Sequence, residues 1–506
     1  MRHLQKAIRS IVGQTAIIAL FFLFYHIILK YIMRETGLDL GAVNYAHHFV
    51  PLYASPEFSV SFWLLPALIV CIGFLFLCYK FLKLSLLPDN INSRTLITIA
   101  IVCFIAINIS VALIDGYHEI PTETDTEQIL KLYEPYTRSG QEYYADVPFI
   151  DEMGLRVFLR DFTNRELFDH LSGHTRTHPP GGVVFLWLVS KIFGYNLVST
   201  SLLSILFTAL TVIPFYKLAE RLYDKKVALY ALLLFLITPN FVMFTTTSMD
   251  GPFSVFPILS LYLFYEARKR ETDPTIPIDA FRPYSFLTGI SLALGMFMTY
   301  STVVIGVFLC VIPLLERKRF VQYLKMLAFA ATGFIGFYFI LSVLTDFQPF
   351  EALWLSIKKD ERGMGTGYES INRYLHLSFA NLFAFLIGVG IPITTVWLRQ
   401  MVKSVKDWKQ NSVLTENENS EERGSWLLRT EESDTFNIGF LMTLLFFTFS
   451  TLFTMEVERI WIFMVPFFVI PVAKYLTERP RSDFFWVSGM LVLQLILMEV
   501  LLNTYW

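Results

Sequence analysis

Two histidines and an arginine stand directly ahead of a double proline in the stretch HTRTHPPGG, residues 174–182. Imidazole moves protons near neutral pH, and guanidinium grips phosphate or carboxylate through paired N–H groups. Isolated acids and bases interrupt greasy sequence elsewhere too. Asp115 sits in ALIDGYHE, Asp146 in EYYADVPFIDE and Asp250 in TTTSMDGPF. Lys358, Lys359, Arg362 and Arg373 fall within 344–376, and Glu456, Glu458 and Arg459 within TMEVERIW. An acid so placed can take the proton of a hydroxyl, and the basic groups can hold a phosphate. Each has a plainer role as well. Asp250, just before Gly-Pro, suits a helix N-cap, and Glu456 and Arg459 have the i, i+3 spacing of a local ion pair. Pro179 and Pro180 suit the first turn of a helix. A lysine such as Lys358 is usually only solvated.

The composition says what carries these groups. The chain has 506 residues, 54% of them apolar and only 17% charged, with mean hydropathy +0.52. A soluble chain carries about a quarter charged residues. Apolar runs of roughly 15–22 residues recur, which predicts an all-α polytopic membrane protein. About thirteen transmembrane helices are expected, near 11–30, 60–78, 95–114, 197–215, 226–243, 251–267, 284–299, 301–315, 324–343, 377–398, 437–454, 460–476 and 484–502. The net charge of −2 argues against a nucleic-acid binder, which normally shows a basic face. Cys71, Cys78, Cys103 and Cys310 all lie in apolar runs and suggest neither disulfides nor a zinc site. The N-terminal apolar run is long and lacks a small-residue cleavage site, so it reads as a retained first helix.

Short cytoplasmic loops collect Lys and Arg. Arg2, Lys6 and Arg9, then Lys80, Lys83 and Arg94, mark the inner side, as do the basic clusters 216–226, 266–270, 316–319 and 474–481. The run 182–194 is too short to span and contains Lys191, and a span there would force the basic loop 216–226 outside. It is expected as a re-entrant or interfacial helix on the outer side. Residues 115–196 then form one large external loop, 344–376 a second, and 399–436 a cytoplasmic loop whose polar part, 409–424, is expected to be disordered or loosely folded. This topology puts Asp115, Asp146, Arg176, His178, Asp250, Lys358, Lys359, Glu456 and Arg459 on one face. Acids at a membrane boundary are costly and mark functional sites, so the set points to a charged, lipid-borne substrate.

The order of these features resembles the GT-C superfamily of integral-membrane glycosyltransferases. The similar group within it is that of protein O-mannosyltransferases and aminoarabinose lipid A transferases (glycosyltransferase families 39 and 83). There, a large first external loop carries one or two acids, then His-Pro-Pro leading into a short apolar helix. Here these are Asp146, THPPGG and KIFG. A basic loop follows, matching LAERLYDKK, then a helix ending near proline, as in LLLFLITPN, then an Asp before the next span, as in SMDGPF. The late EVERIWIFMVPFFVIPVA is similar to a Glu/Arg turn before a late span. Two helices precede the matching region, the acid after its first span is to be chosen among Asp115, Asp125 and Asp146, and Tyr300-Ser301 stands where many members have lysine.

The resemblance implies three parts: two extra helices in 1–94, a GT-C-like membrane domain in 95–480, and a final helix in 481–506. It implies transfer of a sugar from a polyprenyl-phosphate-linked donor to a hydroxyl on a glycan, lipid or protein. The reaction would take place on the extracytoplasmic face of a plasma (inner) membrane, with inversion at the anomeric carbon. Asp146 would be the base, with Asp115 its rival. Arg176 and His178 would position substrate or phosphate, and Arg459, Lys358 and Lys359 are the candidates to hold the phosphate itself. Glu456 would orient Arg459 or bind sugar, with Asp250 in the same site. No glycine-rich nucleotide loop is visible, which suits a lipid-linked donor. No cofactor is specified; a divalent metal is compatible with the acids, but no ligand pattern indicates one. The alternatives are a polysaccharide polymerase or ligase, which relies on arginine-rich external loops, and a lipid-linked sugar transporter, which commonly shows internal repeats.

Overall fold

The computed structural model describes residues 10–504 except 42, 84–91, 122–125, 138–140, 273–274, 276, 278, 317–318 and 417–431. Arg2, Lys6, Arg9, Asp125, part of the cluster 316–319 and the second half of the polar segment 409–424 lie outside the described residues. The chain is helical nearly throughout. α1 (Ile11–Thr36), α2 (Leu64–Lys83) and α3 (Ser93–Ala112) come first, with the short strand β1 (Ala54–Pro56) between the first two. Then follow the hairpin β2 (Tyr117–Pro121) and β3 (Thr126–Leu130), the short helices α4 (Val147–Met153), α5 (Leu155–Asp161), α6 (Arg165–Phe168) and α7 (Gly173–Thr177), and α8 (Gly181–Phe193). α9 (Leu197–Ala209), α10 (Val212–Leu222), α11 (Lys225–Phe235), α12 (Pro239–Thr247) and α13 (Asp250–Thr272) continue the bundle. α14 (Arg282–Met298), α15 (Val303–Leu315), α16 (Phe320–Thr345), α17 (Pro349–Met364), α18 (Ile371–Val389) and α19 (Ile391–Glu416) come next. α20 (Glu432–Ser450), α21 (Val457–Ile460), α22 (Pro466–Thr477), α23 (Arg481–Leu501) and the strand β4 (Leu502–Thr504) complete the chain.

A helix occurs at each of the thirteen expected places. Among the described residues, six are long and apolar enough to cross a membrane: α1, α2, α3, α9 continued through α10, α16 and α23, or eight with two bent pairs counted as spans. The bends have local causes. Pro239 opens α12 without an N–H to continue α11, and the two meet at 56°. Gly390, at φ 113°, separates α18 from α19 at 110°. α16 shows the lipid-facing pattern plainly: Ile335, Phe339, Ile340, Val343 and Leu344 are exposed, and only 11% of its span window is buried. Its inner face docks through glycine. A Cβ on Gly289 would lie 1.8 Å from the Ala330 carbonyl oxygen, and one on Gly333 would lie 2.2 Å from that of Phe286. Backbones of α14 and α16 therefore touch, as small residues permit in membranes.

The first two helices and the last pack into the same core as the rest, a single cluster that runs from Ile11 through Cys71 and Phe104 to Val500. β1 even pairs antiparallel with β4, Ala54 opposite Thr504, tying the chain end to the first connection. The loop expected over 399–436 is partly helix, because α19 continues to Glu416 and α20 starts at Glu432. The segment 344–376 is likewise mostly helix, since its apolar residues recur at helical spacing. α8, at 13 residues, is short of the roughly 20 a span requires.

Candidate active site

α20 stops at Ser450, and the next residues take an unusual path. Thr451, Met455 and Glu456 all have left-handed backbone, at φ 48°, 64° and 60°. Glu456 thereby becomes the residue ahead of α21, and its carbonyl accepts from the N–H groups of Arg459 and Ile460. Arg459 turns to two carboxylates. Its Nη2 is 2.7 Å from Glu456 Oε2, and its Nη1 is 2.8 Å from Asp250 Oδ2 at the start of α13. The Ser248 hydroxyl donates to the same Asp250 oxygen at 2.9 Å. The local i, i+3 pair is thus real, but it is half of a buried three-residue cluster. Burial alone would weaken the charge on Arg459; Asp250 and Glu456 outweigh it and hold the guanidinium pKa above its ordinary value.

The histidine stretch meets this cluster from another direction. Both oxygens of buried Asp146 accept from the Ser172 N–H, at 3.1 and 3.0 Å, and Ser172 caps α7 by accepting from Thr175 N–H. Asp146 therefore fastens the turn that carries His174 and His178. His178 Nδ1 lies 3.1 Å from the His174 carbonyl, which only accepts, so the ring proton belongs on Nδ1 and Nε2 is the accepting nitrogen. Burial, then neighbouring His174, push its pKa down to about 3 against the pull of Asp250, so the ring is neutral. Tyr143 lies against both rings, stacked on His174 with centroids 5.8 Å apart and edge-on to His178 at 5.7 Å. Behind them α8 starts hard against α14: a Cβ on Gly181 would lie 2.0 Å from the Phe297 carbonyl oxygen.

Between the two parts lies a cavity of about 560 Å³, lined by His174, His178, Glu456 and Arg459, by Thr299, Ser301, Ser356, Ser450 and Thr451, and by one face of α17. That face supplies Leu353, Ser356, Ile357, Asp360, Glu361 and Met364. Burial, then the charges of Glu456 and Glu361, raise the Asp360 pKa above the ordinary carboxylate value. Asp250 stands just behind the lining, through Arg459. Among the described residues, no group of three or more His, Cys, Asp or Glu is arranged to hold a metal.

Several residues singled out from sequence are placed elsewhere. Asp146 is next to the histidine turn but not in the cavity lining, because its oxygens are turned to the Ser172 amide. Asp115 is buried with Lys131, whose Nζ is 3.8 Å away and also donates to the Thr504 carbonyl at 2.9 Å. That places it beside the β4 end of the chain rather than in the cavity. Arg176 acts electrostatically on Asp146 and is also outside the lining. Lys358 and Lys359 miss it too, and the Lys358 ammonium sits over the Trp354 ring, 4.7 Å from its centre. Helical periodicity explains the exchange of Lys358 and Lys359 for Asp360 and Glu361. Positions 353, 356, 357, 360, 361 and 364 share one side of α17, whereas 354 and 358 share another. That spacing was the signal available for Asp360.

Glu458 lies behind the cluster. Its Oε1 accepts from the Tyr53 N–H at 2.6 Å, and burial pushes its pKa up to about 7. Between the ordinary value of 4.5 and about 7, the folded chain holds more of this proton than the unfolded chain does. Its contribution to stability therefore falls as pH rises through that window and is flat above it. Glu458→Gln keeps an acceptor for Tyr53 and removes the titration. Its melting temperature relative to the unsubstituted protein should rise from about pH 5 to about pH 8. An offset that stays the same at both would mean that Glu458 ionises like an exposed acid.

Residues 177–344 match the dolichyl-phosphate-mannose-protein mannosyltransferase family, a stretch that includes both His178 and Asp250. The expected resemblance to protein O-mannosyltransferases is met over these residues. No curated protein matches the chain. Among solved structures, the chain is similar to ArnT from Cupriavidus metallidurans in the apo state, with 14% identity, TM-score 0.45, and coverage of 76% of this chain and 61% of that one. It is also similar to the apo oligosaccharyltransferase of Archaeoglobus fulgidus, with 12% identity, TM-score 0.46, and coverage of 80% and 56%. A third is AglB from the same organism, in complex with an inhibitory peptide and a dolichol-phosphate, with 15% identity, TM-score 0.34, and coverage of 79% and 50%. The chain spans about three fifths or less of the length of these structures.

Proposed function

We propose that the protein transfers a sugar from a polyprenyl-phosphate-linked donor to a hydroxyl acceptor, in the cavity between α17 and the Asp250–Arg459–Glu456 cluster. The observation that carries this reading is convergence. His178 and Asp250, both within the family match, meet Arg459 and Asp360 from distant parts of the chain around one cavity. In this reading Asp360 takes the acceptor's proton, and the hydroxyl oxygen attacks the anomeric carbon. The bond from that carbon to the phosphate oxygen breaks, and the phosphate leaves with the electron pair. Direct displacement inverts the anomeric centre. Arg459, which the two carboxylates keep cationic, faces the departing phosphate. Neutral His178 accepts a sugar hydroxyl through Nε2. In this reading the cavity faces the extracytoplasmic side, an orientation supported by the basic clusters expected on the inner side.

Asp146 serves here as the fastening of the histidine turn. Lys358, beside Trp354, is suited to anchoring α17 at the membrane surface, where aromatic rings and long basic chains collect. The test is transfer itself. Full-length protein in nanodiscs, given a panel of radiolabelled polyprenyl-phosphate sugars with glycan, lipid and peptide acceptors, should label at least one acceptor class. Labelling from nucleotide sugars only would overturn the donor assignment. Movement of intact lipid-linked sugar between leaflets without transfer would instead make the protein a transporter.

A further inference from the structure

The segment that presents Glu456 and Arg459 is strained. Thr451, Met455 and Glu456 all hold left-handed backbone, a conformation that L-residues avoid and that persists only where the surroundings impose it. For a β-branched residue such as Thr451 the penalty is greatest. Something must therefore hold this segment, and the grip on its middle comes from α18. Asn381 is fully buried, and its single amide spans the segment. Nδ2 donates to the Phe453 carbonyl at 2.7 Å, while Oδ1 accepts from the Met455 N–H at 3.1 Å.

The chemistry of that pairing is specific. A primary amide offers a donor and an acceptor on one short planar group, so a single side chain can serve both backbone groups flanking Thr454. A buried asparagine in an apolar helix is costly unless both ends are used, and here both are. Outer contacts secure the flanks: Tyr374 Oη donates to the Phe449 carbonyl at 3.0 Å, and Asn240 Nδ2 to that of Glu458 at 3.0 Å. Those grips fix where the segment begins and where α21 lies. The Asn381 amide fixes the path between them.

We infer that Asn381 is a positioning residue for the sugar-transfer site. By clamping Phe453 and Met455 it keeps Glu456 in left-handed backbone, so that its carboxylate and the following Arg459 face the cavity and Asp250. The consequence for turnover rests on the proposed transfer reaction, whereas the clamp is measurable without it.

The experiment compares Asn381→Leu, which keeps the γ-branched shape without the polar groups, with Asn381→Asp, which keeps an acceptor for Met455. Full-length protein in nanodiscs is followed by hydrogen exchange and by donor-dependent transfer. In Asn381→Leu, exchange in peptides covering 449–461 should speed up about tenfold or more, while α14 and α16 keep their protection. Donor KM should rise and kcat should fall, because Arg459 moves, and Asn381→Asp should fall between Leu and the unsubstituted protein in both assays. General destabilisation would instead reduce the active fraction, leave KM unchanged and raise exchange everywhere; that pattern overturns the role. Unchanged exchange at 449–461 in Asn381→Leu overturns it as well. If the unsubstituted protein transfers no sugar, the transfer reading fails, and local exchange still decides the clamp.

Discussion

Asp360→Asn should lower sugar transfer by about 10²–10⁴-fold, the usual worth of a general base, and leave donor binding within a few-fold. Three observations single out this acid. It lines the cavity, whereas Asp146 and Asp115 do not. Among the described residues it makes no hydrogen bond or ion pair that would occupy its oxygens, unlike Glu456 and Asp250, which are both engaged by Arg459. Burial and the charges of Glu456 and Glu361 also raise its pKa, which strengthens it as a base. The sign for activity follows. The base must be unprotonated, so transfer should climb with pH through the raised pKa, and that limb should disappear in Asp360→Asn. Single-turnover rates across pH would show both effects. Asp146→Asn is the informative contrast, because an asparagine oxygen still accepts from the Ser172 N–H and should preserve most activity. If Asp146→Asn abolished transfer while Asp360→Asn retained it, the base assignment would return to Asp146.

The difference between these two acids shows what periodicity and composition can convey. Helices at thirteen places follow from apolar runs, and the breaks at Pro239 and Gly390 follow from residues that interrupt a helix. A short α8 follows from its length alone. Which face of α17 meets the cavity is a different kind of question. It depends on where α7 and the 451–456 segment sit, and neither is local to 349–364. Lys358 and Lys359 attract notice because of their charge, yet a shift of two positions along a helix turns a residue well away from its neighbour's face. Asp146 stands out in sequence for the same reason and proves to be tied to a backbone amide 26 residues on. Glu456 and Arg459 show the limit from the other side. Their i, i+3 spacing reveals the local pair, but Asp250, the second partner of Arg459, is 209 residues away. The left-handed backbone of Thr451, Met455 and Glu456 has no signature in sequence at all, since none of them is glycine.

Removing the charge at the centre of that cluster should have the largest effect on stability. Arg459→Met keeps much of the volume but leaves Asp250 and Glu456 as uncompensated buried carboxylates, and breaking a buried pair in this way costs about 3–5 kcal/mol. An exposed ion pair would cost only about 0–1 kcal/mol, so the two cases are well separated. Denaturant or thermal unfolding of the purified protein in a fixed detergent, with urea-resistant helix content taken as baseline, reads the difference. The cluster also predicts the outcome of a second substitution. Asp250→Asn alone strips Arg459 of one partner and should be destabilising. In the Arg459→Met background it instead removes a stranded charge and should cost little or even restore stability. The pair should therefore couple by about 0.5–3 kcal/mol in a double-mutant cycle. Donor binding should weaken in Arg459→Met, with or without Asp250→Asn, because the cation facing the phosphate is gone in both. Stability would then recover in the double variant while binding would not, and recovery of both would mean that Arg459 serves the fold alone.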